Sequence, residues 1–129
     1  MSRRCRALLA AGLMLCLAGQ AGQAAARAPD PAAANEISYL LQHLGGSACR
    51  FERNGTWHEA PQAVEHLRRK YDYLLRRGLV PSAEAFIERA ATQSSVTGQP
   101  YRVQCADQPA EPSARWLQQA LDRFRASQR

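Results

Sequence analysis

Three histidines, the adjacent serines Ser94 and Ser95 and four cysteines are the residues of this 129-residue chain best suited to acid–base, nucleophilic or metal chemistry. His43, His58 and His66 contain no pair at the i, i+4 spacing that sets two imidazoles on one helical face for zinc, so no metal constellation is expected. His58, Glu59 and His66 would form a loose acid–base group if the turn before the following helix folds back. That makes His66 or His58 the candidate general base of a small envelope hydrolase. Ser94 and Ser95 lack the Gly-x-Ser-x-Gly turn of a hydrolase nucleophile and read instead as partners of backbone groups in a polar turn. No cofactor signature is present.

The cysteines carry more information. Met1 to Arg6 holds three arginines, and Ala7 to Ala18 is an apolar run too short to span a bilayer. This is the pattern of a secretory signal peptide over residues 1–26, with cleavage after Ala24 or Ala26, the latter satisfying a small-x-small preference. Leu15 before Cys16 argues against lipid attachment. Two cysteines leave with the leader. The remaining pair, Cys49 and Cys105, then resides in an oxidising compartment, periplasmic or secreted, where a disulfide is expected. The loop closed is about 57 residues, for which chain entropy allows an upper figure of ~4 kcal/mol.

The leader also holds three of the seventeen basic residues and none of the eleven acidic ones, so the net charge of +6 falls to +3 in the exported chain. With no aromatic interleaving, the run Arg68, Arg69, Lys70 reads as a solvated face and not as a nucleic-acid surface. Weak attraction to an anionic envelope component is compatible with it. No second apolar span follows the leader.

The elements that must position these residues follow from periodicity. Residues 27–35 (RAPDPAAAN) read as a flexible lead-in to one domain over 36–126. Asn35 is the expected N-cap of a helix with Ile37, Leu40, Leu41 and Leu44 on one face, ended by Gly45 and Gly46. Alternation around Cys49, Phe51 and Arg53, with Asn54-Gly55 following, predicts a hairpin of Cys49–Arg53 and Thr56–His58. The longest helix is expected over Ala60–Arg77, with Ala63, Val64, Leu67, Tyr71 and Leu74 as its apolar stripe. A third helix opens at Pro81 and Ser82 and buries Phe86, Ile87 and Ala90. Tyr101, Val103 and Cys105 alternate as a half-buried strand, and Ser113 is the expected cap of a last helix bearing Trp116, Leu117, Ala120, Leu121 and Phe124. The fold class is α+β: a small single domain of about four helices around a short antiparallel β-ribbon, with one disulfide.

A helical wheel sets His66 and Lys70 along one edge of the long helix's stripe, where a lysine stem is covered and its ammonium must reach water or a partner. The segments Cys49–Gly55, Ala63–Tyr71, Ala85–Ile87, Ser94–Gly98 (SSVTG) and Tyr101–Cys105 together resemble a family of small exported proteobacterial proteins classified only as a domain of unknown function. The resemblance runs from about Glu36 to Phe124. It implies an exported single domain with paired cysteines and the recurrence of Arg53, Asn54, Gly55, His66, Lys70, Ser94, Gly98 and Tyr101, but no activity.

The function expected on these grounds is a non-catalytic binding or accessory module of the cell envelope, with Arg53, Asn54, His66, Lys70 and Ser94 rimming a cleft. Its partner would be a periplasmic protein or an anionic envelope component. The alternatives are the hydrolase named above and a domain in which these residues are internal fasteners.

Overall fold

The computed structural model describes residues 28–129, in which the chain folds as α1 (Pro31–Gly45), β1 (Arg50–Arg53), β2 (Thr56–Glu59), α2 (Ala60–Leu75), α3 (Ala83–Ala90), β3 (Arg102–Gln104), β4 (Glu111–Pro112) and α4 (Ser113–Ser127). The expected signal peptide lies outside the described residues. The architecture is α+β, four helices with one antiparallel sheet in the order β2-β1-β3-β4. The fourth strand was not expected. Two residues carry no period, and Pro112 is admitted because the strand is at the sheet edge, where a missing N–H costs nothing.

The first helix starts earlier than Asn35. Asp30 accepts from the Ala33 N–H at 2.7 Å, and Pro31 at the first helical position brings a preset φ and no donor to satisfy. The second half of the expected lead-in is therefore helical, with Ala33 buried. The same helix ends where Gly45 meets α2: a Cβ there would stand 3.0 Å from Val64 Cγ2, so the glycine permits the close approach. Helices α2 and α3 follow their expected positions, with α2 ending at Leu75. The Ser82 hydroxyl caps α3 by accepting from the Ala85 N–H at 3.1 Å. Ser113 is the first residue of α4 and Pro112 the cap position; the Ser113 N–H donates to the Tyr101 carbonyl at 2.9 Å.

The core lies between the helices and one face of the sheet. Ile37, Leu40, Leu44, Phe86, Leu117 and Leu121 are fully buried from the helical side, and Phe51 and Val103 face them from β1 and β3. These strands pair with Phe51 opposite Val103 and Arg50 opposite Gln104. One step further along this register stand Cys49 and Cys105, whose Cα atoms are 4.2 Å apart and whose sulfurs are bonded. At the other end of β1, Asn54 and Gly55 take φ of 52° and 79°, the left-handed pair that a two-residue hairpin requires. A clamp that periodicity does not disclose ties three helices together: the Arg125 guanidinium of α4 donates two bonds of 2.8 Å to Glu36 of α1 and a third to Glu84 of α3.

The disulfide fixes the β1–β3 register across a sequence separation of 56. Replacing both cysteines by serine is therefore expected to lower the urea-unfolding free energy by about 2–4 kcal/mol, with the far-ultraviolet circular dichroism retained. A loss below about 0.5 kcal/mol would show that the strands hold their register without it.

Candidate functional site

Tyr101 is the hub of the polar cluster. Its backbone is pinned just ahead of β3, the N–H donating to the Thr92 carbonyl at 2.9 Å and the carbonyl accepting from Ser113. The ring is buried, and its hydroxyl emerges beside the polar edge of α2. Residues one turn apart on α2 reach it: His66 Nε2 at 3.0 Å and Lys70 Nζ at 3.2 Å. Lys70 also donates to the Gln93 carbonyl at 2.9 Å, and its ammonium lies 4.9 Å from the Tyr101 ring centroid. On the far side of His66, Arg53 at the end of β1 places Nη1 3.1 Å from Nδ1.

The proton positions follow from donor chemistry. A guanidinium can only donate, so His66 Nδ1 is an acceptor and its proton sits on Nε2, which donates to Tyr101. Lys70 donates to the same phenolic oxygen. Tyr101 thus accepts twice, and its own O–H is a donor with no protein acceptor among the described residues. Burial first, then the neighbouring Arg53, Lys70, Arg69 and His58, together push the His66 pKa down to about 4. Burial likewise lowers Lys70, with Arg53 adding to the effect, and raises Tyr101 against the opposing pull of Arg53. Among the described residues, no carboxylate forms an ion pair with Arg53 or Lys70. Two cations therefore flank a neutral imidazole and a neutral phenol.

Two depressions open on this cluster. The first, about 290 Å³, lies between the hairpin and α2 and is bordered by Arg53, His58, Gln62, Glu65, His66 and Tyr101. The second, about 270 Å³, lies on the other side of His66 and is bordered by Arg69, Lys70, Tyr73, Arg89 and Ser95. Of the expected rim, Arg53, His66 and Lys70 converge here. Ser94 and Asn54 line neither depression. Ser94 is buried, its hydroxyl facing the Val96 and Thr97 N–H groups at 3.3 Å, the turn role that its sequence context suggested. Asn54 accepts from the Thr97 hydroxyl at 2.6 Å and so joins this turn to the hairpin tip.

The other histidines do not join the cluster. His43 lies between Tyr39 and Trp116, with ring centroids at 5.9 and 4.6 Å, and its buried Nε2 has no hydrogen-bond partner. Burial, then Arg123, lowers its pKa. His58 borders the first depression opposite Phe51 in the β1–β2 register. No group of three His, Cys, Asp or Glu side chains suited to a metal occurs among the described residues. Tyr101 is absent from the expected rim because alternation alone places it in a half-buried strand. The available signal was chemical: a buried tyrosine hydroxyl needs partners, and α2 was the element that offered unassigned polar groups at its boundary.

Tyr101→Phe removes one oxygen and strands two donors, one of them cationic. We expect a loss of about 1–3 kcal/mol in urea unfolding, the scale for buried donors left unpaired. A loss under about 0.5 kcal/mol would remove the hydroxyl from its place at the centre of the cluster.

A Salmonella typhimurium protein described as uncharacterized protein YfeK is 45% identical over 51 residues, which cover 40% of this chain and 41% of that protein. The match thus spans about two fifths of the relative's length. No solved structure matches. The family of unknown function DUF5329 matches residues 31–125, from the first residue of α1 into the last turn of α4. The chain belongs to the DUF5329 family.

Proposed function

We propose that this protein is a non-catalytic binding module of the bacterial periplasm, and that the polar edge of α2 with the first depression receives an acceptor-rich, anionic ligand group. The observation that carries this reading is the convergence of Arg53 and Lys70 on His66 and Tyr101 without a carboxylate partner. Every free function in the cluster is a donor: the remaining guanidinium N–H groups, the third ammonium hydrogen and the Tyr101 O–H. Holding like charges near one another costs stability, and a fastener could make these bonds with uncharged groups. An anion that occupies the depression supplies the missing countercharge.

A hydrolase based on His66 is less well supported by the same geometry. Its Nδ1 lone pair is taken by Arg53 and its Nε2 already carries the proton, so the ring has no free site to accept one. His58 borders the open depression, but among the described residues no carboxylate pairs with its ring. Export is part of the proposal, supported by the arginine-led apolar leader and by the paired cysteines.

A photoreactive amino acid at Glu65, an exposed border residue, would test the reading in cells. We expect protein recovered from the periplasm to begin near Arg27 and to carry a cross-linked partner. That adduct should disappear in Arg53→Gln and Lys70→Met while each variant keeps its melting temperature within about 5 °C, the shift of ~1 kcal/mol for a domain this size. Adducts unchanged in the variants, together with losses above about 2 kcal/mol, would instead make these residues internal fasteners.

A further inference from the structure

The second depression has a composition that the first does not share. Its border contains Arg69, Lys70 and Arg89, the polar Ser95, the neutral His66 and the apolar Tyr73 and Leu74, and no acidic residue. The first depression is bordered by two acidic residues, Glu52 and Glu65, of which Glu65 pairs with Arg69 and neither pairs with Arg53. Two of the second depression's three cations are immobilised by neutral acceptors. Lys70 is held by the Gln93 carbonyl and the Tyr101 hydroxyl, and the Arg89 guanidinium donates Nη1 to the Leu79 carbonyl at 2.5 Å. Such anchoring fixes the side chains while leaving their charge uncancelled, so the side-chain entropy that an ion pair would cost on binding is already lost. Arg69 is the exception, pairing with the exposed Glu65. An ion pair of that kind contributes little and exchanges readily.

We propose that this second depression is a phosphate-binding subsite, in which Arg89 and Lys70 donate to the phosphate oxygens, Arg69 turns from Glu65 to the anion, and Ser95 supplies a hydroxyl. A phosphate group presents several acceptors and up to two negative charges, matching a wall of fixed donors better than a single carboxylate does. Its cavity of about 270 Å³ exceeds the phosphate itself and leaves room for a substituent against Tyr73 and Leu74. The chemistry is shared by a soluble phosphate ester and by an anionic phospholipid headgroup. The subsite shares Lys70 with the reading of the first depression, and His66 and Arg69 border both, whereas Arg89 and Ser95 border only the second.

The experiment titrates the isotopically labelled exported chain with inorganic phosphate at constant ionic strength, following the Ser95, Gln93 and Arg89 amide signals by NMR, with chloride as the control. We expect saturable shifts with phosphate alone. Affinity should fall at least about tenfold in Arg89→Gln and in Ser95→Ala by a smaller factor, both with well-dispersed spectra. Gln119→Ala, exposed on α4 and outside both depressions, should leave the titration unchanged. In a second arm, co-sedimentation with phosphatidylglycerol vesicles but not phosphatidylcholine vesicles, lost in Arg89→Gln, would assign the phosphate to a lipid headgroup even if free phosphate saturates only weakly. Equal responses to chloride and phosphate, an Arg89→Gln variant that titrates and sediments like the wild type, or no response in either arm would overturn the proposal. Loss of the Glu65 adduct with retention of phosphate binding would separate failure of one site from failure of the other.

Discussion

The pairing of β1 with β3, Phe51 opposite Val103 and the cysteines bonded one step beyond, is the constraint on which the molecule's other arrangements rest. It sets the two aromatic and aliphatic side chains against the helical core. It also fixes the start of β3, and with it Tyr101, relative to the end of β1, where Arg53 stands. A slip of one residue in β3 would turn Val103 away from the face that holds Phe51 and move Tyr101 away from α2. The disulfide prevents that slip in a strand pair only three residues long. Through this register, a covalent bond at one end of the ribbon determines a hydrogen-bond network at the other.

The network is costly by design of its charges. Arg53 and Lys70 approach the same imidazole–phenol pair, and burial of His66 and Lys70 disfavours the charged form of each. The helical clamp at Arg125 shows what this chain does when the aim is fastening: one guanidinium is answered by two carboxylates, Glu36 and Glu84. At the α2 edge the cations are answered by a ring nitrogen, a hydroxyl and a backbone carbonyl. The contrast within one small domain supports the view that the positive charge at α2 is retained for something that arrives from outside.

The helices were legible because their apolar stripes repeat over several turns, and the hairpin because Asn54-Gly55 is a local signal with a single backbone solution. The first-helix start was misplaced because two capping residues compete there, and Asp30 followed by proline outweighs Asn35. β4 escaped because a two-residue strand has no period and exists only through pairing with β3. In the candidate site, the wheel placed His66 and Lys70 correctly at the stripe boundary. It could not name their partners, since the Tyr101 hydroxyl lies 35 residues from His66 and 31 from Lys70, and the Gln93 carbonyl 23 from Lys70. Ser94 is expected on the rim because its segment leads into the strand that the disulfide holds, whereas its burial assigns the hydroxyl to its own turn.

A neutral His66 between two uncancelled cations is the central claim, and its own titration tests it most directly. A histidine whose folded pKa lies below the unfolded 6.5 adds stability that is full above 6.5 and is lost as pH falls toward the folded value. The groups facing it are Arg53, Lys70, Arg69, His58 and Tyr101, none of which is a carboxylate. Nitrogen NMR of the ring should find the Nε2–H tautomer at pH 7, with protonation deferred to about pH 4. Titration near the unperturbed 6.5, or a ring already doubly protonated at pH 7, would contradict the account.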